Sequence, residues 1–165
     1  MPLRSTQPAE KVWPWLMQIG QDRSGFYSYT PFENLAGCEM PKVERLAPDW
    51  KPRAVGETVW FGTPKHFKGQ AYMAAAVVEP RKAFIMVGRP DWKKIQAGGH
   101  GEGGSWGFVL EAVDPNHTRL IARLRGGTPP SLWGRVVAVA VWDPARFVME
   151  RKMLRTIKRL AEQQS

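Results

Sequence analysis

From residue 105 to residue 124 the chain reads SWGFVLEAV, DPNH, TRLIARL, two segments of strand length joined by a turn. Asp114, Pro115 and Asn116 each favour reversal of the backbone, and apolar residues recur beside them at the two-residue period of a half-buried strand. In the second segment Leu120, Ala122 and Leu124 share one face, and Arg119, Arg123 and Arg125 share the other. Similar punctuation recurs upstream: residues 70–79 and 83–87 flank the turn EPRK, and residues 57–61 follow the pair VG. Residues 43–46 form one more short candidate. Consecutive strands on short connections pair as an antiparallel meander, and one face of such a sheet needs a cover.

The cover is expected at the carboxyl end. Asp143 and Pro144 open a helix whose Phe147, Met149, Met153, Leu154, Ile157 and Leu160 fall on one broad stripe. If that stripe and the apolar face 120/122/124 line an interior, the strand arginines point outward. The preceding run LWGRVVAVAVW, 132–142, suits a strand by its alternation and a helix by its length, and a helix joined at a kink to the last one is expected.

Ahead of the strands, residues 8–19 read as a helix with Val12, Leu16 and Ile19 on one face and Gly20 as its stop, Pro14 marking a kink or a later start. A second helix is expected over 31–36, with Thr30 as N-cap, Glu33 three residues on, and Gly37 as terminator.

Chain length and composition narrow the class. At 165 residues, with 43% hydrophobic and 24% charged residues, one globular domain covering 1–165 is expected. The run at 132–142 is far too short to span a bilayer, which takes roughly 20 apolar residues. MPLRSTQPAEK contains no apolar signal core, and a single cysteine, Cys38, cannot form an internal disulfide, so a cytoplasmic location is expected. The net charge of +9 is concentrated partly in the last helix, at Arg146, Arg151, Lys152, Arg155, Lys158 and Arg159. A basic helix can lie on an anionic membrane or simply solvate its outer face. No recognition motif accompanies the charge, so no nucleic-acid partner is expected.

VWPWLMQIGQDRSGFYSYTPFENLAG, VGETVWF, EPRKAFIM, WGFVLEA, TRLIARLR and FVMERKMLRTIKRLAE together resemble the bacterial branch of the START-like, or SRPBCC, superfamily, the polyketide cyclase/dehydrase-like proteins. The resemblance runs over roughly 8–162. It implies an α+β helix-grip fold, a curved antiparallel sheet around a long carboxyl-terminal helix. Between them it implies a cavity for a hydrophobic or amphipathic small molecule that is lipid-, polyketide- or aromatic-like. It implies no cofactor. Non-catalytic binding is the favoured function, with a cyclase or dehydrase as the alternative and a membrane-surface adaptor as a further one. One departure stands out: only PLRST precedes the first helix, so the first strand is short or missing, and the sheet edge so exposed invites a loop or a second copy of the chain.

Within that frame the candidate ligand-binding residues are Arg23, Tyr27, Tyr29, Glu33 and Asn34 of the helix pair, Trp60 and Trp106 on strands, and Met149 and Met153 on the last helix. The first five could present hydrogen bonds or a cation to a ligand oxygen; as structure alone, Arg23 and Glu33 would pair and Asn34 would hold a turn. In the cyclase reading Arg23, Tyr27, Tyr29 or Glu33 would polarise a carbonyl and move a proton. His66, His100 and His117 fall in loops or turns without metal-ligand spacing, so no metal site is expected. GHGEGG matches the letters of a dinucleotide fingerprint but leads into a strand instead of a helix. It reads as a flexible hairpin loop that, with RPDWKK, could gate the cavity.

Overall fold

The computed structural model describes all residues except 1, 6, 66–67, 127–130, 132, 134–139, 141–142 and 164–165. Its elements, in order, are β1 (Pro2–Ser5), α1 (Ala9–Met17), α2 (Thr30–Leu35), β2 (Thr58–Trp60), β3 (Tyr72–Glu79), β4 (Ala83–Gly88), α3 (Arg89–Gln96), β5 (Ser105–Asp114), β6 (His117–Arg125) and α4 (Asp143–Glu162). The helix expected over 132–142 lies, apart from Trp133 and Ala140, outside the described residues.

The strands form one antiparallel sheet in the order β1-β6-β5-β4-β3-β2. β2 to β6 are a meander, and β1 returns the chain's start to the free side of β6, where Pro2 faces Ile121 and Ser5 faces Thr118. The first strand is therefore short but present, and the stretch Thr118–Ile121 already has a pairing partner. Register shifts at Ala75/Val77 and Ala112/Asp114 bend the sheet, as bulges do.

Side-chain alternation decides what the sheet presents inward. Trp106, Phe108 and Leu110 on β5 stand opposite Leu124, Ala122 and Leu120 on β6, while Arg123 and Arg125 are exposed. Phe84 and Met86 of β4 continue the inward face with no exposure at all. α1 adds Val12, Trp15 and Leu16, and the carboxyl-terminal half of α4 adds Met153, Leu154, Ile157, Leu160 and Ala161. Each fully buried large side chain contributes about 1.5–3 kcal/mol relative to exposure. The amino-terminal half of α4 behaves differently: residues 143–148 are exposed, and Phe147 and Val148 retain 53% and 50% of their surface.

Four local expectations are corrected. Residues 43–46 form no strand; they cross α4, where the Glu44 carboxylate accepts a 2.8 Å bond from Arg159, a contact that holds Glu44 below its usual carboxylate range. The second helix starts at Thr30, with Tyr29 and not Thr30 in the cap position. RPDWKK, expected to act with the glycine loop as a gate and given no element of its own, belongs to a helix, α3. The glycine run after it is fastened, because buried Asp91 accepts bonds from the Glu102 amide at 3.1 Å and the Gly103 amide at 2.9 Å. A Cβ on Gly103 would come within 2.6 Å of that carboxylate, so packing accounts for glycine there.

Candidate functional site

α1 ends in a tight reversal. Gly20 and Gly25 exchange backbone hydrogen bonds of 3.0 and 2.8 Å, and Gly20 sits at φ +131° with Asp22 and Arg53 too close to admit a Cβ. The reversal delivers Phe26, Tyr27 and Ser28 to the open end of the sheet. Ser28 Oγ donates to the Met149 carbonyl at 3.3 Å, tying this loop to α4.

Here the core gives way to a cavity of about 290 Å³. Its wall is made by Phe26 and Ser28, Glu33 of α2, Phe61 just beyond β2, Trp106 of β5, Leu124 of β6, and Ala145, Arg146, Met149, Glu150 and Met153 of α4. Three aromatic rings form one side, with Phe26 4.8 Å from Phe61 and 5.5 Å from Trp106, and Phe61 5.6 Å from Trp106, centroid to centroid. These separations are those of favourable offset or tilted aromatic pairs, so the wall is self-supporting.

The polar features of the wall are few. Glu33 is 93% buried by the complement of its 7% exposure, and its Oε2 has no hydrogen-bond partner. Burial alone pushes its carboxyl up from the usual range. The Trp106 indole Nε1 is likewise buried without an acceptor. Arg146 is engaged by Asp143 at 3.1 Å.

Of the nine expected ligand contacts, Glu33, Trp106, Met149 and Met153 come together on this wall. The other five do not line it. Arg23 donates to the carbonyls of Met17 at 2.7 Å and Lys51 at 2.9 Å and pairs with Glu57 at 2.9 Å, so its cation is spent on fastening the loop. The expected Arg23–Glu33 pair is replaced by this Glu57 contact. Asn34 donates to the Met40 carbonyl at 3.2 Å and accepts from the Met40 amide, holding the chain beyond α2. Tyr29 packs on exposed Phe32 at 5.9 Å. Trp60 packs on Tyr72 at 5.1 Å, and alternation puts it across β2 from fully buried Val59.

Tyr27, at φ 54°, is buried in the left-handed region with its ring 6.0 Å from Trp15. Its hydroxyl faces Ser24 and Gln18 without a well-aligned hydrogen bond; burial pushes its pKa up, against the opposing influence of those two side chains.

Phe26 and Phe61 are wall residues that the sequence reading did not identify. Each neighbours a glycine, in SGFY and WFGT, where neither helical nor strand period marks a face. Leu124 was identifiable through its strand face. Among the remaining candidates, His117 bonds Asp114 at 2.7 Å in the β5–β6 turn, His100 is exposed, and His66 lies outside the described residues. No group of three or more potential metal-binding side chains occurs among the described residues. No helix among them is long and apolar enough to cross a membrane. None of residues 89–104 lines the cavity.

Glu33 carries a stability consequence. A carboxyl raised in the folded state binds more protons folded than unfolded, so its contribution is full at low pH and is lost as pH rises through the folded value. Glu33→Gln is therefore expected to stabilise the protein at pH 7, with the advantage vanishing towards pH 4. Urea midpoints at the two pH values check this, and an unchanged difference between them would contradict it.

The order of elements, a short strand, a helix pair, an antiparallel meander and a long helix against its inner face, is an α+β helix-grip arrangement. No protein-family model matches the chain, nor does any curated protein. Among solved structures it is similar to a protein of Mesorhizobium loti, at 16% identity over 100% of this chain and 98% of that one, with a TM-score of 0.43. It is similar to the Aha1 dimer of Colwellia psychrerythraea, at 15% identity over 92% and 90%, TM-score 0.44. A polyketide-cyclase-like protein of Corynebacterium glutamicum matches at 17% identity over 98% and 83%, TM-score 0.39.

Proposed function

We propose that the protein is a ligand-binding module that holds a hydrophobic or amphipathic small molecule between the sheet and α4. The observation that carries this reading is the cavity of about 290 Å³ walled by Phe26, Phe61, Trp106, Leu124, Met149 and Met153. The cavity is open to solvent on one side and its described lining is largely apolar, so an apolar guest that covers that lining removes it from water. The size sits at the lower end of small-molecule sites, about 300–1,000 Å³, which favours a molecule of one or two rings or a short chain over a sterol or diacyl lipid. Two thioethers in the wall, Met149 and Met153, adapt to guests of different outline.

The test is a titration with the neutral fluorophore N-phenyl-1-naphthylamine. Saturable enhancement is expected, and Met149→Trp, which fills the cavity from its α4 wall, is expected to weaken it at least tenfold. A wild-type protein that takes up no apolar fluorophore and carries no small molecule in a native mass spectrum would overturn the reading.

Catalysis of the cyclase or dehydrase type is the second reading, supported by one observation, the buried Glu33 carboxyl, which holds its proton better than an exposed one and so suits a general acid. Arg23, Tyr27 and Tyr29 lie outside the cavity wall, so the acid–base set that this chemistry needs is thinner than expected. Binding without turnover is preferred for that reason. Product formation from a carbonyl substrate, abolished by Glu33→Gln, would reverse the preference.

A further inference from the structure

We infer that the cavity takes an apolar molecule carrying a hydrogen-bond-accepting oxygen, a ketone or ester carbonyl in an aryl or hydrocarbon frame, with Glu33 and Trp106 as its donors. The inference rests on the cavity reading above and adds the chemistry of the guest. Two of the described wall residues carry a buried polar atom without a partner, Glu33 at Oε2 and Trp106 at Nε1. A buried donor or acceptor left unmet is destabilising, so a guest able to satisfy one recovers part of that cost.

The kind of group each presents fixes the guest. An indole N–H only donates. A carboxyl either accepts, when ionised, or donates, when protonated, and its neighbours decide between the two. Among the described residues, three ionisable neighbours bear on Glu33. Arg146 and Glu150 share its cavity wall, and the Cys38 thiol, which follows α2, feels its charge. Arg146 is paired with Asp143, and burial raises the proton affinity of Glu33. In its protonated form the carboxyl is a second donor beside the Trp106 N–H. Among the described wall residues, two donors with no unspent acceptor of comparable burial beside them describe a site for oxygen. An amine would bring further donors, and a hydrocarbon would leave both groups unmet.

Three probes of matched outline separate the possibilities in calorimetric titrations at pH 6: 2-acetylnaphthalene, the oxygen-free 2-isopropenylnaphthalene, and 1-(2-naphthyl)ethylamine. The ketone is expected to bind about tenfold tighter than the alkene, the yield of one or two hydrogen bonds to otherwise unmet groups. Trp106→Phe and Glu33→Leu should each remove much of that preference, read as the ratio of ketone to alkene affinity within the same variant. Glu33→Gln, whose amide still donates, should keep the preference. Equal affinity for ketone and alkene, or tightest binding of the amine, would overturn the inference while leaving the apolar cavity in place. Failure of all three probes to bind folded wild-type protein would overturn the inference and the cavity reading together.

Discussion

Arg53→Met is expected to destabilise the protein by about 3 kcal/mol, the lower end of what breaking a buried ion pair costs. For a chain of this size that lowers Tm by roughly 6–12 °C. The Arg53 side chain has no exposure, and four other groups depend on it. Its Nη2 donates to the Ile19 carbonyl at 2.8 Å and to both Asp22 oxygens at 2.9 and 3.0 Å, and its Nη1 reaches Glu57 at 2.8 Å and the Thr58 carbonyl at 3.0 Å. Methionine matches the length of the stem but takes the donor away from the Ile19 and Thr58 carbonyls and from Asp22, and leaves Glu57 to Arg23 and the Ala54 amide. Asp22 and Glu57 are each about one-third exposed, so water recovers part of the loss, which is why the lower end of the range applies. Arg159→Met is the control. Its partner Glu44 and its own guanidinium are both well exposed, so the change should cost less than about 1 kcal/mol. Urea unfolding with unchanged slope reads both variants, and an Arg53→Met midpoint no lower than that of Arg159→Met would refute the ordering.

That network explains why Arg23 looked like a ligand contact in the sequence. Its partner Glu57 is 34 residues away and Arg53 joins the same carboxylate, a convergence that no local pattern encodes. What was legible had a period: the two-residue alternation of β5 and β6 placed Leu120, Ala122 and Leu124 inward, and the α4 stripe placed Met153 and Ile157 there. Elements without a period were harder. PLRS becomes β1 because β6 offers an open edge, and RPDWKKIQ becomes α3 although its residues are mostly polar, with Asp91 fastening the following loop. Glu33 was legible in two ways, as a candidate ligand contact and as a capping residue, and the structure separates them. Read as the third residue of a capping box, it is freed from that duty because the helix begins one residue earlier, and its side chain is buried on the cavity wall.

Along α4 the effect of truncation is expected to change sharply within two turns. Ile157→Ala should cost about 2–5 kcal/mol, since Ile157 is fully buried and removing its methyl groups opens a void that the surrounding core can only partly close. Met149→Ala should cost less than about 1.5 kcal/mol, because Met149 is only partly buried and already borders empty space, so its truncation enlarges an existing cavity instead of creating one. The ligand response should run the opposite way: Met149→Ala admits larger apolar guests, whereas folded Ile157→Ala leaves guest preference unchanged. Thermal unfolding and N-phenyl-1-naphthylamine titration of the same two variants test both halves. If the two cost the same, or if Ile157→Ala alone alters guest size, the division of α4 into a packed half and a binding half is wrong. The sequence carries that division only faintly, because Met149, Met153 and Ile157 belong to one continuous stripe. What separates them is the loop carrying Phe26 and Ser28, which meets α4 at Met149 and closes the packed region on one side of that contact while leaving the cavity open on the other.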